Sequence, residues 1–221
     1  SPSPDAPAME RRFTLPNLIT LARILACPVV AALALAPGAG ARFAAFVLFL
    51  AAALSDLWDG YLARKHGWIT DIGKLLDPLA DKLLLAASFI PIWLISNRPD
   101  GFGDLPVIGA LPLWILLVIF GREIFVTLFR QWAAARGQVL AAGRSGKYKA
   151  LLQNLFAGGA LLWYPIRLWA EQAGWVDGAL WPVWYVVHGS WVVVTLAMAL
   201  VLTVWSMISY IRSYRAVGEL S

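Results

Sequence analysis

The sequence is poor in charge, cysteine and histidine. Of its 221 residues, 14% are charged and 60% are hydrophobic, and it contains one cysteine and two histidines. A soluble globular domain carries about 25% charged residues, so this composition excludes an ordinary soluble fold. A single cysteine excludes a disulfide framework, and the scarcity of cysteine and histidine argues against a zinc site. The chain also shows no internal repeat and no low-complexity tract.

Long apolar stretches fill the chain instead. A transmembrane helix needs about 20 apolar residues, and breaks rich in Gly and Pro divide the sequence into such stretches. We therefore expect an all-α, polytopic membrane protein with six transmembrane helices. The expected spans lie near residues 16–36, 42–66, 75–97, 107–135, 149–170 and 182–211. We expect residues 1–15 to form a polar arm or leader, 16–215 the transmembrane domain, and 216–221 a cytoplasmic tail.

The distribution of Lys and Arg predicts the orientation of the spans. If the N-terminal end is cytoplasmic, the outer side holds only Arg42, Arg98 and Arg167. The inner side then holds a much larger set: Arg11, Arg12, Arg64, Lys65, Lys74, Arg130, Arg136, Arg144, Lys147, Lys149, Arg212 and Arg215. We therefore expect both termini inside. The net charge of +5 suits an anionic membrane surface, and nothing in the pattern indicates nucleic acid.

Four aspartates lie in one polar stretch between apolar spans. Asp56 and Asp59 are three residues apart near the end of the second span, and Asp77 and Asp81 are four apart near the start of the third. Each pair shares one helix face, and the turn between the spans brings both pairs to the same depth. Converging carboxylates repel each other unless cations compensate them. Because oxygen ligands alone favour Mg²⁺, Mn²⁺ or Ca²⁺, we expect a site for two divalent ions.

Two glycines and an arginine accompany these acids. Gly60 follows Asp59, and Gly73 precedes Asp77 by four positions. Glycine inside a helix costs about 1 kcal/mol relative to alanine, so its placement suggests that a bulky ligand approaches the backbone. Arg64 offers a planar fork for phosphate. The combination predicts a pyrophosphate site.

The acidic stretch resembles the motif of the CDP-alcohol phosphatidyltransferase family. It matches every fixed position: Asp56-x2-Asp59-Gly60-x2-Ala63-Arg64-x8-Gly73-x3-Asp77-x3-Asp81. The resemblance implies a six-helix fold, usually a homodimer, in the bacterial inner membrane with the active site facing the cytoplasm. It also implies that the first three aspartates hold two ions of Mg²⁺ or Mn²⁺. Asp81 would contact metal and act as the catalytic base on the acceptor hydroxyl. The residues implied to bind CDP-diacylglycerol are Asn17, Thr20, Gly60, Ala63, Arg64 and Gly73.

Other segments bear on the acceptor of the transfer. Leu15–Arg23, Gly121–Arg130 and Gly146–Gln153 resemble the phosphatidylglycerophosphate synthase branch of this family, which joins CDP-diacylglycerol to glycerol 3-phosphate. Phe129 and Ala150 depart from that branch, where Leu and Thr are common. A group of cations on the fourth span and the turn after it suits a phosphate dianion. The residues expected to bind the acceptor phosphate are Arg122, Arg130, Arg144, Lys147 and Lys149.

Two other functions stay open. A cardiolipin synthase of the same fold would use phosphatidylglycerol as acceptor and would need a second groove of lipid size. A divalent-cation transporter would also use four acids within spans, but it gives no role to Gly60, Gly73 or Arg64. The expected partners are CDP-diacylglycerol, glycerol 3-phosphate, membrane lipids and a second copy of the chain.

Overall fold

The structure is a computed structural model that describes residues 14–66, 70–99, 103–136 and 144–218. Within these residues the chain is helical, apart from short turns and one isolated bridge. The helices are α1 Leu15–Leu35, α2 Ala39–His66, α3 Asp71–Ser96, α4 Leu113–Ala135, α5 Arg144–Gln172 and α6 Trp181–Gly218. The all-α class is therefore confirmed. Most of the arm expected over residues 1–15 lies outside the described residues, as does the end of the tail.

Several helices are long and apolar enough to cross a bilayer. They are α1, Ala39–Asp56 of α2, Leu75–Ser96 of α3 and Trp181–Arg212 of α6. α4 and α5 carry charged side chains within their length, including Arg122 and Lys149. Large apolar side chains such as Leu25 and Val201 are exposed, as expected for helices that face lipid. The chain is a multi-pass membrane protein, and the six α-helices of its described residues are compatible with six spans.

The start of α4 differs from the predicted one. The apolar pattern places it near residue 107, whereas the helix begins at Leu113. Leu105 and Gly109 close a tight turn through two backbone hydrogen bonds of 3.0 and 2.9 Å. Val107 and Gly109 have positive φ angles of 68° and 72°, which a right-handed helix excludes. The predicted start of this helix is therefore wrong, because an apolar run does not reveal backbone handedness.

The start of α5 also differs. The Gly-containing segment before residue 149 is expected to be a break, yet the helix begins at Arg144. Gly146 lies in its first turn, where the backbone N–H groups have no intrahelical partner. Glycine therefore weakens the helix little at this position. Arg144 and Lys147 consequently lie on the helix rather than in the preceding loop.

The described residues belong to two compact units. The first contains the chain up to Ile95 together with Leu161–Trp175, and the second contains Ser96–Ala160 and the chain from Val176. In the first unit, α1 packs along α2. In the second, α4 packs against α6.

A close approach of α5 and α6 organises part of the second unit. A Cβ atom on Gly159 would lie 2.9 Å from the indole ring of Trp191, so only glycine admits this side chain without a shift. His188 is buried and hydrogen-bonds the Gly159 carbonyl oxygen at 3.0 Å. His188 is thus a packing residue.

Candidate active site

One face of α1 carries polar side chains into the interior of the first unit. Asn17, Thr20 and Arg23 follow at three-residue intervals and continue into a buried apolar stripe that includes Cys27 and Val30. This spacing keeps all of them on one helix face. Arg23 is the one charged residue of α1, and its side chain is fully buried, with 0% exposure. A buried guanidinium requires anionic partners.

Three of the four aspartates are those partners. Nη1 of Arg23 donates to Oδ1 of Asp56 at 2.6 Å and lies 3.4 Å from Oδ1 of Asp81. Nη2 donates to Oδ2 of Asp59. Asp56 and Asp59 belong to α2, and Asp81 belongs to α3. One side chain of α1 therefore contacts the acids of both neighbouring helices.

Asp77 joins the same group through Thr20. The Thr20 hydroxyl lies 3.0 Å from Oδ1 of Asp77 and 3.3 Å from Oδ2 of Asp59. It also lies 3.0 Å from the carbonyl oxygen of Pro16. Because a hydroxyl has one proton, it donates to one of these acceptors at a time. The structure thus gathers all four aspartates around Arg23 and Thr20.

The four carboxylates differ in their access to solvent. The side chain of Asp59 is 5% exposed, that of Asp56 is 42% exposed and that of Asp81 is 61% exposed. Asp77 is also exposed. The cluster therefore has a closed side against α1 and an open side at Asp77 and Asp81, through which an ion or a polar head group can reach the carboxylates.

The donor chemistry of the cluster fits a hard divalent cation. All four side chains offer carboxylate oxygens, the ligands that Mg²⁺ and Mn²⁺ prefer. In the part of the chain that the structure describes, no three acidic, Cys or His side chains form a ready metal site. The guanidinium of Arg23 lies among the carboxylates instead and compensates part of their charge. The metal site at Asp56, Asp59, Asp77 and Asp81 stays a prediction.

The motifs of the sequence give Arg23 no role, but its position within a span is a signal for one. An arginine within an otherwise uncharged span faces the protein interior and pairs with an acid. Four aspartates on the next two spans need a cation for the same reason. The first span contains a cation and no acid, and the next two spans contain four acids. This pattern predicts that Arg23 contacts the aspartates.

Gly73 has a structural role that the sequence does not reveal. A Cβ atom at this position would lie 2.8 Å from Oδ1 of Asn17 and 3.1 Å from Oγ1 of Thr70. Nδ2 of Asn17 donates to the Thr70 hydroxyl at 2.9 Å, and that hydroxyl accepts from the Gly73 backbone N–H at 3.0 Å. Thr70 thus caps α3, and Asn17 ties the cap to α1. The space at Gly73 is filled by Asn17, which explains the glycine without a bound ligand.

Some expected site residues cannot be placed by their side chains. Gly60, Ala63 and Arg64 lie on α2, and Arg144 and Lys147 lie in the first turn of α5. The surroundings of Gly60 and the side chains of the other four residues fall outside the described part of the structure. Their expected roles with CDP-diacylglycerol and with the acceptor phosphate therefore stay predictions.

Two of the cations expected at the acceptor phosphate meet within the second unit. Nη1 of Arg122 donates to Oε1 of Glu123 at 3.2 Å, and Nζ of Lys149 contacts the same oxygen. Nε of Arg122 donates to the Ser206 hydroxyl at 3.0 Å, and the Tyr210 ring lies 5.8 Å from the guanidinium carbon. Arg122 and Lys149 are both buried. Two buried cations therefore share one carboxylate.

Arg130 differs from this pair. It lies eight residues after Arg122 on the same helix, so the two share a helix face, but Arg130 is exposed. Of the residues expected at the acceptor phosphate, the structure therefore brings Arg122 and Lys149 together.

Similarity to known proteins covers most of the chain. Residues 13–205 match the sequence model of the CDP-alcohol phosphatidyltransferase family. The chain is 36% identical over 192 residues to the CDP-diacylglycerol–glycerol-3-phosphate 3-phosphatidyltransferase of Bacillus subtilis (strain 168), covering 81% of this chain and 92% of that relative. It is 30% identical over 210 residues to the protein of the same name from Escherichia coli (strain K12), covering 93% of this chain and 97% of that relative.

Proposed function

The chain belongs to the CDP-alcohol phosphatidyltransferase family, and from this premise we propose that it transfers the phosphatidyl group of CDP-diacylglycerol to glycerol 3-phosphate. The products are phosphatidylglycerophosphate and CMP. The observation that carries this proposal is the match to two relatives named for that transfer over 92% and 97% of their own lengths. The four gathered aspartates support it, because such a cluster binds a diphosphate through cations.

The proposed reaction is a displacement at phosphorus. The hydroxyl oxygen of the acceptor attacks the phosphorus atom that carries the diacylglycerol, and a new P–O bond forms. The bond from this phosphorus to the CMP oxygen breaks, and CMP leaves with the electron pair. We assign the carboxylate of Asp81, which lies on the open side of the cluster, as the acceptor of the hydroxyl proton. A carboxylate is a modest base, but an oriented hydroxyl needs little assistance.

We assign two divalent ions, Mg²⁺ or Mn²⁺, to Asp56, Asp59, Asp77 and Asp81. When bound, such ions would neutralise the diphosphate and favour the departure of CMP. The supporting observations are the all-carboxylate donor set and the exposure of Asp77 and Asp81. The buried Asp59 is held by Arg23 and Thr20, so α1 orients the closed side of the cluster.

We propose that cations of α4 and α5 bind the phosphate of glycerol 3-phosphate. Arg122 and Lys149 are both buried and both contact the carboxylate of Glu123, so two cations are held close together in this part of the second unit. Two cations held close together attract an anion such as phosphate. The guanidinium of Arg122 presents a fork that suits phosphate. The full set proposed to bind this phosphate is Arg122, Arg130, Arg144, Lys147 and Lys149.

The membrane setting follows from the same premise. We propose that the protein lies in a bacterial inner membrane with both termini and the active site on the cytoplasmic side, where the cations are concentrated. CDP-diacylglycerol would then enter from the surrounding lipid, and glycerol 3-phosphate from the cytoplasm. We also propose that two copies form a homodimer.

Release of CMP from CDP-diacylglycerol by the purified full chain tests the proposal. Glycerol 3-phosphate, glycerol and phosphatidylglycerol are compared as acceptors in the presence of Mg²⁺ or Mn²⁺. The proposal predicts efficient release with glycerol 3-phosphate and little with glycerol. Preference for phosphatidylglycerol would indicate a cardiolipin synthase instead. Divalent-cation flux into proteoliposomes without CMP release would indicate a transporter.

A further inference from the structure

We propose that Arg23 is a positioning residue of the active site. It orients the carboxylates of Asp56, Asp59 and Asp81 from α1, so that they are arranged for cations before an ion or a substrate arrives. This inference rests on the proposed function, since it concerns the carboxylates that would hold the metal ions.

The geometry of the contacts supports this role. The guanidinium is planar and presents its N–H groups in fixed directions. Nη1 binds Asp56 and approaches Asp81, while Nη2 binds Asp59. The acids of α2 and α3 thus take their orientation from one rigid group on a third helix. A carboxylate without such a partner rotates freely about its last torsion.

The burial of Arg23 and Asp59 shields their contact from water. The side chain of Arg23 is 0% exposed and that of Asp59 is 5% exposed, so water does not replace their contact. Within the described residues, Nε of Arg23 is buried without a hydrogen-bond partner. The Nη groups of the same side chain are directed at the aspartates.

The charges of the cluster are compatible with this role. Among the described side chains, Arg23 contacts three of the four carboxylates, and its single positive charge compensates one negative charge. The described acids therefore outnumber the described cation that contacts them, which favours binding of divalent ions. Ordering the carboxylates during folding also removes an entropic cost from ion binding, which is the advantage of a preorganised site.

A Mn²⁺ titration of the purified, metal-free full chain in detergent, followed by electron paramagnetic resonance, tests this inference. Arg23→Lys keeps the positive charge but loses the planar fork. We expect it to retain a thermal unfolding midpoint near that of the unsubstituted chain while its Kd for Mn²⁺ rises about 10- to 100-fold, as is typical when a residue that orients metal ligands is changed.

Arg42→Lys is the matched control. Arg42 is also a buried arginine on a membrane helix, but it donates to the carbonyl oxygen of Ala36 at 3.3 Å. It precedes Asp56 by fourteen residues on α2, about 21 Å along the helix axis. This variant should bind Mn²⁺ as the unsubstituted chain does. If Arg23→Lys does not fold, Arg23→Gln replaces it, with the same expected loss of Mn²⁺ affinity.

The outcomes separate this inference from the proposed function. Unchanged Mn²⁺ affinity in the Arg23 variant overturns the inference. Tighter binding also overturns it, because the guanidinium would then compete with the ion. No Mn²⁺ binding by the unsubstituted chain overturns it too, since no ligand set would need positioning. Weaker binding in the variant, together with no CMP release by the unsubstituted chain, supports the role of Arg23 and contradicts the proposed function.

Discussion

Replacement of Gly73 by alanine separates two explanations for this glycine. If it makes room for a ligand, alanine should weaken binding of CDP-diacylglycerol and leave the folded protein stable. In the structure, however, the added Cβ atom would lie 2.8 Å from Oδ1 of Asn17 and 3.1 Å from Oγ1 of Thr70. Asn17 would have to move, and its hydrogen bonds with Thr70 at 2.9 and 3.1 Å would weaken. We therefore expect the protein to be destabilised.

The expected magnitude follows from three contributions. Inserting a methyl group into a packed site costs about 1–3 kcal/mol, and weakening a hydrogen bond costs about 0.5–1.5 kcal/mol. Alanine recovers at most about 1 kcal/mol of helix propensity. From the middle of each range, the free energy of unfolding should fall by about 2 kcal/mol, which lowers the thermal midpoint by roughly 4–8 °C in a protein of this size. Tryptophan fluorescence of the detergent-solubilised protein during heating measures this shift.

Gly121→Ala is the matched control for this substitution. Gly121 lies within α4, is exposed, and an added Cβ atom would meet nothing within 4 Å, so the midpoint should stay the same or rise slightly. Truncating Asn17 to alanine in the Gly73→Ala background should recover part of the loss. The packing explanation is refuted if Gly73→Ala keeps the normal midpoint but binds CDP-diacylglycerol more weakly.

The remaining predictions concern the acids and the acceptor. Asp59→Asn should reduce Mn²⁺ binding and lower the unfolding midpoint, since breaking a buried ion pair costs about 3–5 kcal/mol and Arg23 would lose a partner. Asp81→Asn, at an exposed carboxylate, should keep the midpoint and much of the Mn²⁺ affinity, because the other three carboxylates stay, but lose most CMP release; turnover near the normal rate would contradict its assignment as base. Arg122→Gln should raise the KM for glycerol 3-phosphate about ten- to hundred-fold, the equivalent of about 1.5–3 kcal/mol for a charge-assisted hydrogen bond. The KM for CDP-diacylglycerol should change little in this variant. Arg136→Gln is the control and should behave like the unsubstituted chain, because Arg136 stacks 3.8 Å over the ring of Trp132.

The fold class could be predicted because the bilayer constrains it strongly. Each apolar run of sufficient length must form a helix that satisfies its own backbone hydrogen bonds. The ends of the helices are less predictable, since they depend on backbone torsions. Val107 looks like part of an apolar span, yet its positive φ angle keeps it in the turn before α4. The spacing of the four aspartates likewise predicts two acidic helix faces, because helical periodicity is local.

Contacts between helices are the part of the structure that is hardest to predict from the sequence. The pairing of Arg23 with Asp56 joins residues 33 positions apart, and no local pattern encodes that distance. The contact between Asn17 and Gly73 is not encoded locally either. In the sequence Gly73 suggests space for a ligand, but in the structure this space holds the side chain of Asn17 from α1. Complementary charges in neighbouring spans would have indicated the first contact. Only the packed structure reveals the second.

Transfer of radiolabel from glycerol 3-phosphate into lipid tests the central claim most directly. The purified full chain is incubated with CDP-diacylglycerol and labelled glycerol 3-phosphate, with Mg²⁺, with EDTA, and with EDTA followed by excess Mg²⁺. We expect label in phosphatidylglycerophosphate, equimolar with the CMP released, in the first and third reactions and none in the second. Absence of labelled lipid with Mg²⁺ would contradict the proposed transfer, and equal labelling in EDTA would contradict a metal-dependent role for the four aspartates.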